Sequence, residues 1–255
     1  MIKGILFDIG GTIFTTDKVE KKNKEKAGLA LIKYLQKHGI LSSMKKPNGL
    51  MIAEQMKTGQ KAFKEWAPSH GYIDLSPYDF LSKWVFKNLN KDESNVLRII
   101  ANNAINIWKR NGGGFIRPDA AKTLMKLKKL GYRLGIISNT DSLDFVLRRI
   151  YDNKIYECFE KDCIYLSAVS QYRKPGKDIF IEACRDLDCK PSEVVYVGDT
   201  ITRDVIGARN AGMKACIRIK SHTCNEPENP GLKKQDTIYI VDEFKDIANM
   251  IKTIK

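Results

Sequence analysis

Two stretches carry acids in positions that could do chemistry. In "ILFDIGGTIF", residues 5–14, Asp8 ends an apolar run and is followed by Gly10, Gly11 and Thr12; in "VGDTITRD", residues 197–204, Asp199 and Asp204 follow a second apolar run. Between them lie "IISNT", with Ser138 and Asn139, and "YRKPG", with Lys174. A carboxylate can attack phosphorus to form an aspartyl-phosphate. The negative charges of nucleophile and phosphate must then be offset. A lysine, a hydroxyl and backbone N–H groups can do this around the phosphoryl oxygens, and a Mg2+ ion held by carboxylates can bridge nucleophile and substrate. Asp8, Asp199 and Asp204 fit as ligands of that metal, and Lys174 fits as the fixed cation. Gly10 and Gly11 let the backbone turn sharply and approach a phosphate closely. Singly, each feature has an ordinary reading: a helix cap for an Asp after a strand, a turn for Ser-Asn-Thr, a surface site for Lys-Pro. Only the set is chemically specific.

The elements that would position these groups follow from periodicity. Residues 2–9 read as a buried strand that meets a Gly-Gly break, which places Asp8 at its C-terminal end. For about a hundred residues the pattern then turns helical. Ala27, Ala30, Leu31, Tyr34 and Leu35 share one face, as do Val96, Ile99, Ile100, Ile107 and Trp108 less regularly. Met56, Phe63 and Trp66, and then Phe80, Leu81, Trp84 and Val85, predict two helices between them. The helical stretch ends at "NGGGFIRP", residues 111–118.

After it, strand and helix alternate. "DAAKTLMKLKKLG" is helical and "YRLGIIS" a strand, "SLDFVLRRIY" helical and "CIYLSAV" strand-like, "KDIFIEACRDL" helical and "EVVYVGD" a strand. "RDVIGARNAG" is again helical, "KACIRI" and "DTIYIV" are strands, "EFKDIANMIK" is a last helix, and residues 221–236 are a polar loop. This pattern predicts an α/β fold with a doubly wound parallel sheet, formed by residues 1–14 and 119–255, and an inserted helical domain at 15–118. In such sheets ligands bind outside the carboxyl ends of the strands. All the candidate groups fall at such ends.

Composition narrows the function further. The chain has 255 residues, 43% of them apolar, enough to bury a real core. The start lacks the pattern of a secretory leader, and no segment reaches about 18 uninterrupted apolar residues, so a cytoplasmic protein without membrane partners is expected. The cysteines (158, 163, 184, 189, 216 and 224) form no Cys-x-x-Cys pair, and His38, His70 and His222 are scattered, which leaves zinc and redox chemistry without support. The net charge of +14 is concentrated in residues 15–118, where 19 Lys and Arg face 9 Asp and Glu, a net of +10. Such an excess steers anions. No nucleic-acid motif accompanies it, so a nucleic-acid partner is not expected, and no motif specifies an oligomeric state.

The order and spacing of these motifs resemble the haloacid dehalogenase superfamily. Its four motifs appear as "DIGGT" (Asp8 to Thr12), "SNT" (Ser138 to Thr140), "RKPGKDIF" (Arg173 to Phe180) and "VGDTITRDVIGARNAGM" (Val197 to Met213). The helical insert stands where that family places its C1-type cap. The resemblance implies a hydrolase in which Asp8 is the nucleophile, Gly11, Thr12, Ser138 and Asn139 surround the transferring group, and Lys174 steadies its charge. It further implies Mg2+ held by Asp8, Asp199, Asp204 and the backbone carbonyl of Gly10.

Gly10 departs from the family's pattern. Phosphatases of the family carry there a second aspartate that protonates the leaving group and activates water; loss of a general acid–base forfeits about 10²- to 10⁴-fold in rate. The expectation is a Mg2+-dependent phosphatase acting on a small anionic phosphomonoester or acyl phosphate. It would work slowly, with a good leaving group, or with another acid such as Asp17 or a cap carboxylate. The alternatives are a phosphonoacetaldehyde-hydrolase-like enzyme using one of the cap lysines, a metal-free 2-haloacid-dehalogenase-like enzyme, and a ligand-binding protein without turnover. "DIGGT" also resembles the first phosphate loop of sugar kinases with the actin-like ATPase fold. That fold needs a second Gly-rich phosphate loop and leaves "RKPGKDIF" and "VGDTITRD" unexplained.

Overall fold

A computed structural model describes residues 1–15, 21–111, 114–221 and 238–254. They form two compact units, one of Met1–Asp17, Gly114–Thr140 and Leu147–Lys255, the other of Lys18–Gly113 and Asp141–Val146. In chain order the elements are β1 (Gly4–Phe7), β2 (Phe14–Thr15), α1 (Lys21–Lys37), α2 (Gly49–Trp66), α3 (Pro77–Phe80), α4 (Lys91–Asn111), β3 (Phe115–Ile116), α5 (Ala120–Lys129), β4 (Arg133–Ser138), α6 (Leu143–Asp152), β5 (Ile164–Leu166), α7 (Ser167–Ser170), α8 (Asp178–Asp186), β6 (Val194–Gly198), α9 (Ile206–Asn210), β7 (Ala215–Ile219), β8 (Ile238–Val241) and α10 (Ile247–Thr253). No helix among the described residues is long and apolar enough to cross a membrane.

The first unit is built on a six-stranded sheet in the order β5-β4-β1-β6-β7-β8, with every pairing parallel. From β1 the chain steps one way through β4 to β5 and then the other way through β6 to β8. The doubly wound sheet expected from the alternating pattern is thus the one observed. The strands read as unbroken apolar runs because both faces are covered: β1 and β6 are buried at every residue. On one face Ile179, Phe180 and Ala183 of α8 and Val205 and Ala208 pack with Leu6, Ile137 and Tyr196. On the other, Phe7 stacks on Phe244, which precedes α10, with centroids 5.9 Å apart.

β1 is the switch strand, and its register decides what its end meets. Phe7 pairs with Ile136 of β4 and Val197 of β6. Asp8, the next residue, therefore emerges between the ends of both neighbours.

The helix read over "RDVIGARNAG" starts instead with a π turn at Ile201–Val205 before α9. The wider turn lets the N–H groups of both Asp204 and Val205 reach the Thr200 carbonyl, at 3.1 and 3.3 Å. Sequence periodicity also misses the antiparallel ribbon of β2 and β3, in which Phe14 pairs with Ile116 and Thr15 with Phe115. Strands of two residues are too short to show a period.

The second unit is helical, with α1, α2, α3 and α4 around one apolar cluster that includes Leu31, Leu35, Ile52, Met56, Phe80, Leu97 and Ile105. α2 is started by Asn48, whose side-chain oxygen accepts from the Met51 N–H at 3.0 Å. The buried stripe of α4 is Leu97, Ile100, Ala101, Ala104 and Ile105. Ile99, assigned from the sequence to the packed face, is instead 83% exposed. The small alanines hold the true 3.6-residue period, and a count of bulky residues alone passes over them. Asp141–Val146 groups with this unit through the buried Asn106 of α4. Asn106 donates to Asp144 Oδ2 at 2.9 Å and accepts the hydroxyl of Ser142.

A candidate active site at the ends of parallel strands

The site residues of the first unit are placed by strand ends and by two side-chain clamps. Asp8 keeps its N–H on the Val197 carbonyl at 2.9 Å, which continues the β1–β6 ladder by one residue. Asp199 leaves the end of β6 directly after Gly198. Asp204 is turned back on the same loop, where its Oδ2 accepts from the Thr200 N–H at 2.9 Å and the Thr200 hydroxyl at 2.6 Å. Lys174 lies between α7 and α8 and is held by Asn139, whose carboxamide accepts the Lys174 N–H at 2.8 Å and donates to the Lys174 carbonyl at 2.9 Å.

Lys174 is 3% exposed, against Asp8 at 6%, Asp199 at 4% and Asp204 at 1%. Its Nζ donates to Asp204 Oδ1 at 2.6 Å, Tyr196 Oη at 2.7 Å and Asp8 Oδ1 at 2.8 Å, with the Ile137 carbonyl farther off at 3.2 Å.

Asp8 and Asp204 share the Lys174 ammonium, and with Asp199 beside them the buried acids outnumber the cations Lys174 and Arg203. Burial pushes the Asp8 carboxyl up, and Lys174 only partly offsets this against the charge of Asp204. Asp199 is pushed up to about 7 by burial and then by the charges of Asp8 and Asp204. Burial also works against ionised Asp204, but Lys174, Arg203 and the Thr200 hydroxyl outweigh it and hold its carboxyl below the usual range. Lys174 is raised: burial disfavours its charge, and the two acids more than restore it.

One oxygen from each of Asp8, Asp199 and Asp204 lies within 4.8 Å of the others. Asp199 Oδ1 is buried without a hydrogen-bond partner. An all-oxygen, anionic donor set with one uncommitted oxygen fits a hard divalent cation of the Mg2+ type.

The remaining candidates from the sequence divide into those at the site and those with other work. Thr12 is fully buried, its hydroxyl 3.4 Å from Asp8 Oδ2. Ser138 is the buried last residue of β4. Asn139 commits its carboxamide to the main chain of Lys174, so it acts on the lysine and is not presented to a ligand. Gly11 corrects an expectation. Its N–H is taken by the Phe14 carbonyl at 2.7 Å, so it is not a free donor for a phosphate. Glycine is required there for another reason: at φ +84°, an added β-carbon would stand 2.0 Å from Asp199 Oδ2.

Gly10 is the opposite case. It is exposed, and a β-carbon there would have nothing within 4 Å. Neither sterics nor backbone conformation demands glycine at this position. Asp17, considered as a substitute acid, lies outside the described residues.

Two participants escaped the sequence reading. Tyr196, within "VVYVG", has the look of ordinary strand core, and only the tertiary structure turns its hydroxyl to Lys174. Arg203 sits within a quoted motif beside Asp204, and its charge favours ionisation of Asp8, Asp199 and Asp204.

Residues 2–212 match the model of the haloacid dehalogenase-like hydrolases. The chain is 28% identical to the glyceraldehyde 3-phosphate phosphatase of Methanopyrus kandleri, over 90% of this chain and 89% of that one. Among solved structures it resembles a 2-haloacid dehalogenase from Pseudomonas syringae (TM-score 0.69, 18% identity, 99% of both chains) and a phosphatase from Thermococcus onnurineus (TM-score 0.58, 22% identity, 98% of both chains). These two likenesses bear on the fold. With a family match that runs from the first strand past the last acidic motif, the chain belongs to the haloacid dehalogenase-like hydrolases.

Proposed function

We propose that this hydrolase is a Mg2+-dependent phosphatase that passes the phosphoryl group of a small anionic phosphomonoester or acyl phosphate to Asp8 and then to water. The observation that carries this reading is the unbalanced acid cluster: Asp8, Asp199 and Asp204 each bring an oxygen to one buried point, Lys174 and Arg203 are fewer than the three carboxylates, and Asp199 Oδ1 has no partner. A divalent cation would balance that set.

Asp8, Asp199 and Asp204, with the Gly10 carbonyl, would hold the ion, which when bound lowers the repulsion between a carboxylate nucleophile and the phosphoryl oxygens. A carboxylate oxygen of Asp8 forms the new O–P bond as the bond from phosphorus to the leaving oxygen breaks, and the electron pair departs with that oxygen. Thr12 orients Asp8. Ser138 and Lys174 meet the charge on the transferring oxygens. Water then attacks the aspartyl-phosphate, releasing inorganic phosphate and restoring the Asp8 carboxylate.

With no carboxyl at position 10, the best substrates are those whose leaving group departs without a proton, as an acyl phosphate's carboxylate does. In this reading residues 15–118 form the cap, and their net charge of +10 draws an anionic substrate.

The test is phosphate release with and without Mg2+ over a panel containing glyceraldehyde 3-phosphate, the compound in the name of the Methanopyrus kandleri relative, along with acetyl phosphate, sugar phosphates, nucleotides and phosphonoacetaldehyde. The Asp8→Asn protein serves as the blank. Mg2+-dependent release from a phosphomonoester or acyl phosphate, absent from the blank, supports the proposal, and release from phosphonoacetaldehyde alone overturns it. Release that survives Asp8→Asn, or none from any compound, overturns it.

A further inference from the structure

We propose that Tyr196 is a positioning residue that aims the Lys174 ammonium at Asp8 and Asp204. An ammonium has three hydrogens, and four acceptors stand around this one: Asp204 Oδ1 at 2.6 Å, Tyr196 Oη at 2.7 Å, Asp8 Oδ1 at 2.8 Å and the Ile137 carbonyl at 3.2 Å. The three shortest contacts take the hydrogens. Tyr196 takes one of them with a lone pair, and its own proton has the Ile137 carbonyl at 3.1 Å, nearer than Asp204 Oδ1 at 3.3 Å.

The hydroxyl thus occupies the main-chain carbonyl and stands between it and the lysine. Without it, the freed N–H of Lys174 has the Ile137 carbonyl as its nearest remaining acceptor. The ammonium then moves toward β4 and away from Asp8 Oδ1.

Tyr196 is suited to this work because nothing in its surroundings lets it drift. It is fully buried on β6, and its ring packs edge-on against Phe180 at a centroid separation of 5.1 Å. The same strand carries Asp199 at its end, so one rigid element sets both the carboxylate and the hydroxyl. Packing alone would be satisfied by phenylalanine. A hydroxyl in the middle of a parallel sheet carries a desolvation cost that only its hydrogen bonds offset.

The inference rests on the reading of Lys174 as the group that steadies the transferring phosphoryl, and its test separates the two. Tyr196→Phe keeps the ring and removes only the hydroxyl. Two quantities are read well below its melting temperature: kcat and KM for the best substrate of the panel, and the 1H–15N correlation of the Lys174 ammonium, assigned by its absence in Lys174→Met. Positioning predicts a kcat lower by about tenfold, KM within twofold, and a shifted or exchange-broadened Lys174 signal. Unchanged kcat with an unchanged signal overturns the inference, as does a loss confined to KM.

If the wild-type protein releases no phosphate from any compound, the phosphatase reading fails. A shifted Lys174 signal in Tyr196→Phe then still supports the positioning role, and an unshifted one still removes it. Should Tyr196→Phe not fold, Tyr196→Met, which fills the space against Phe180 without a hydroxyl, carries the same two readouts.

Discussion

Gly11 and Asp199 are packed so closely that a β-carbon on residue 11 would stand 2.0 Å from Asp199 Oδ2 and 2.6 Å from its Cγ. The first loop of the chain is thus shaped around the acid that ends the fourth strand of the sheet order. Gly11→Ala must displace that carboxylate and also hold an L-residue at φ +84°, a conformation that alone costs about 1–2 kcal/mol. Weakened Mg2+ binding by calorimetry, by tenfold or more, and a melting temperature lowered by several degrees are the expected results.

Gly10 has room that Gly11 lacks. Gly10→Asp meets nothing within 4 Å at its β-carbon, so stability should change by no more than about 0.5 kcal/mol. A carboxyl at this position could protonate a leaving group, and the rate with an alkyl phosphate should rise by roughly tenfold or more, within the range general acids supply. The gain should be smaller for acetyl phosphate, whose leaving group needs no proton. Comparing kcat for the two substrates checks this, and equal gains would show that the new acid does not act on the leaving group.

Asn139 clamps the main chain of Lys174 at both its N–H and its carbonyl. Asn139→Ala leaves both groups without that partner, at a cost of about 1–3 kcal/mol in stability. Because the lysine loop also loses its anchor, kcat should fall with it. Urea unfolding and steady-state kinetics measured on the same preparation test the two effects together.

The acids predict how the metal-free protein responds to pH. Asp199 moves from an ordinary 3.8 to about 7 on folding, so between those values the folded state holds a proton that the unfolded chain has released. Stability therefore falls as pH rises through this window. Asp8, raised as well, acts in the same direction. Asp204, lowered, acts oppositely, and its contribution is lost below the ordinary carboxylate range. The destabilisation at neutral pH is on the order of a few kcal/mol for Asp199. Melting curves from pH 4 to pH 8 in chelator should show the decline, Mg2+ should reverse it at the upper end, and Asp199→Asn should flatten it.

Much of this was legible in the residues themselves. The alternation after residue 118 named the parallel sheet, and apolar runs that stop at Asp8 and Asp199 put both acids at strand ends. Helix and strand periods are local properties, and a sequence displays them directly. What failed to show was either too short or too distant. The ribbon of Phe14–Thr15 with Phe115–Ile116 has no period to read. The buried face of α4 runs through alanines, and the bulky-residue pattern points Ile99 to the packed side although it faces solvent.

By itself the sequence determined which groups could do chemistry and that Asp8, Ser138 and Asp199 lie at the ends of strands, because residue type and apolar patterning are sufficient for both, whereas Lys174, read at a strand end, follows the short helix α7. The tertiary structure decided how those groups divide the work. It gave Lys174 to acids 166 and 30 residues away, turned Asn139 to the lysine's main chain, brought Tyr196 out of the anonymous core, and showed Gly11 obligatory and Gly10 unconstrained. The physical reason is that three hydrogens on a buried ammonium, or the space beside one β-carbon, are allotted by distances of a few tenths of an ångström between strands far apart in the chain. No spacing along the chain encodes those distances.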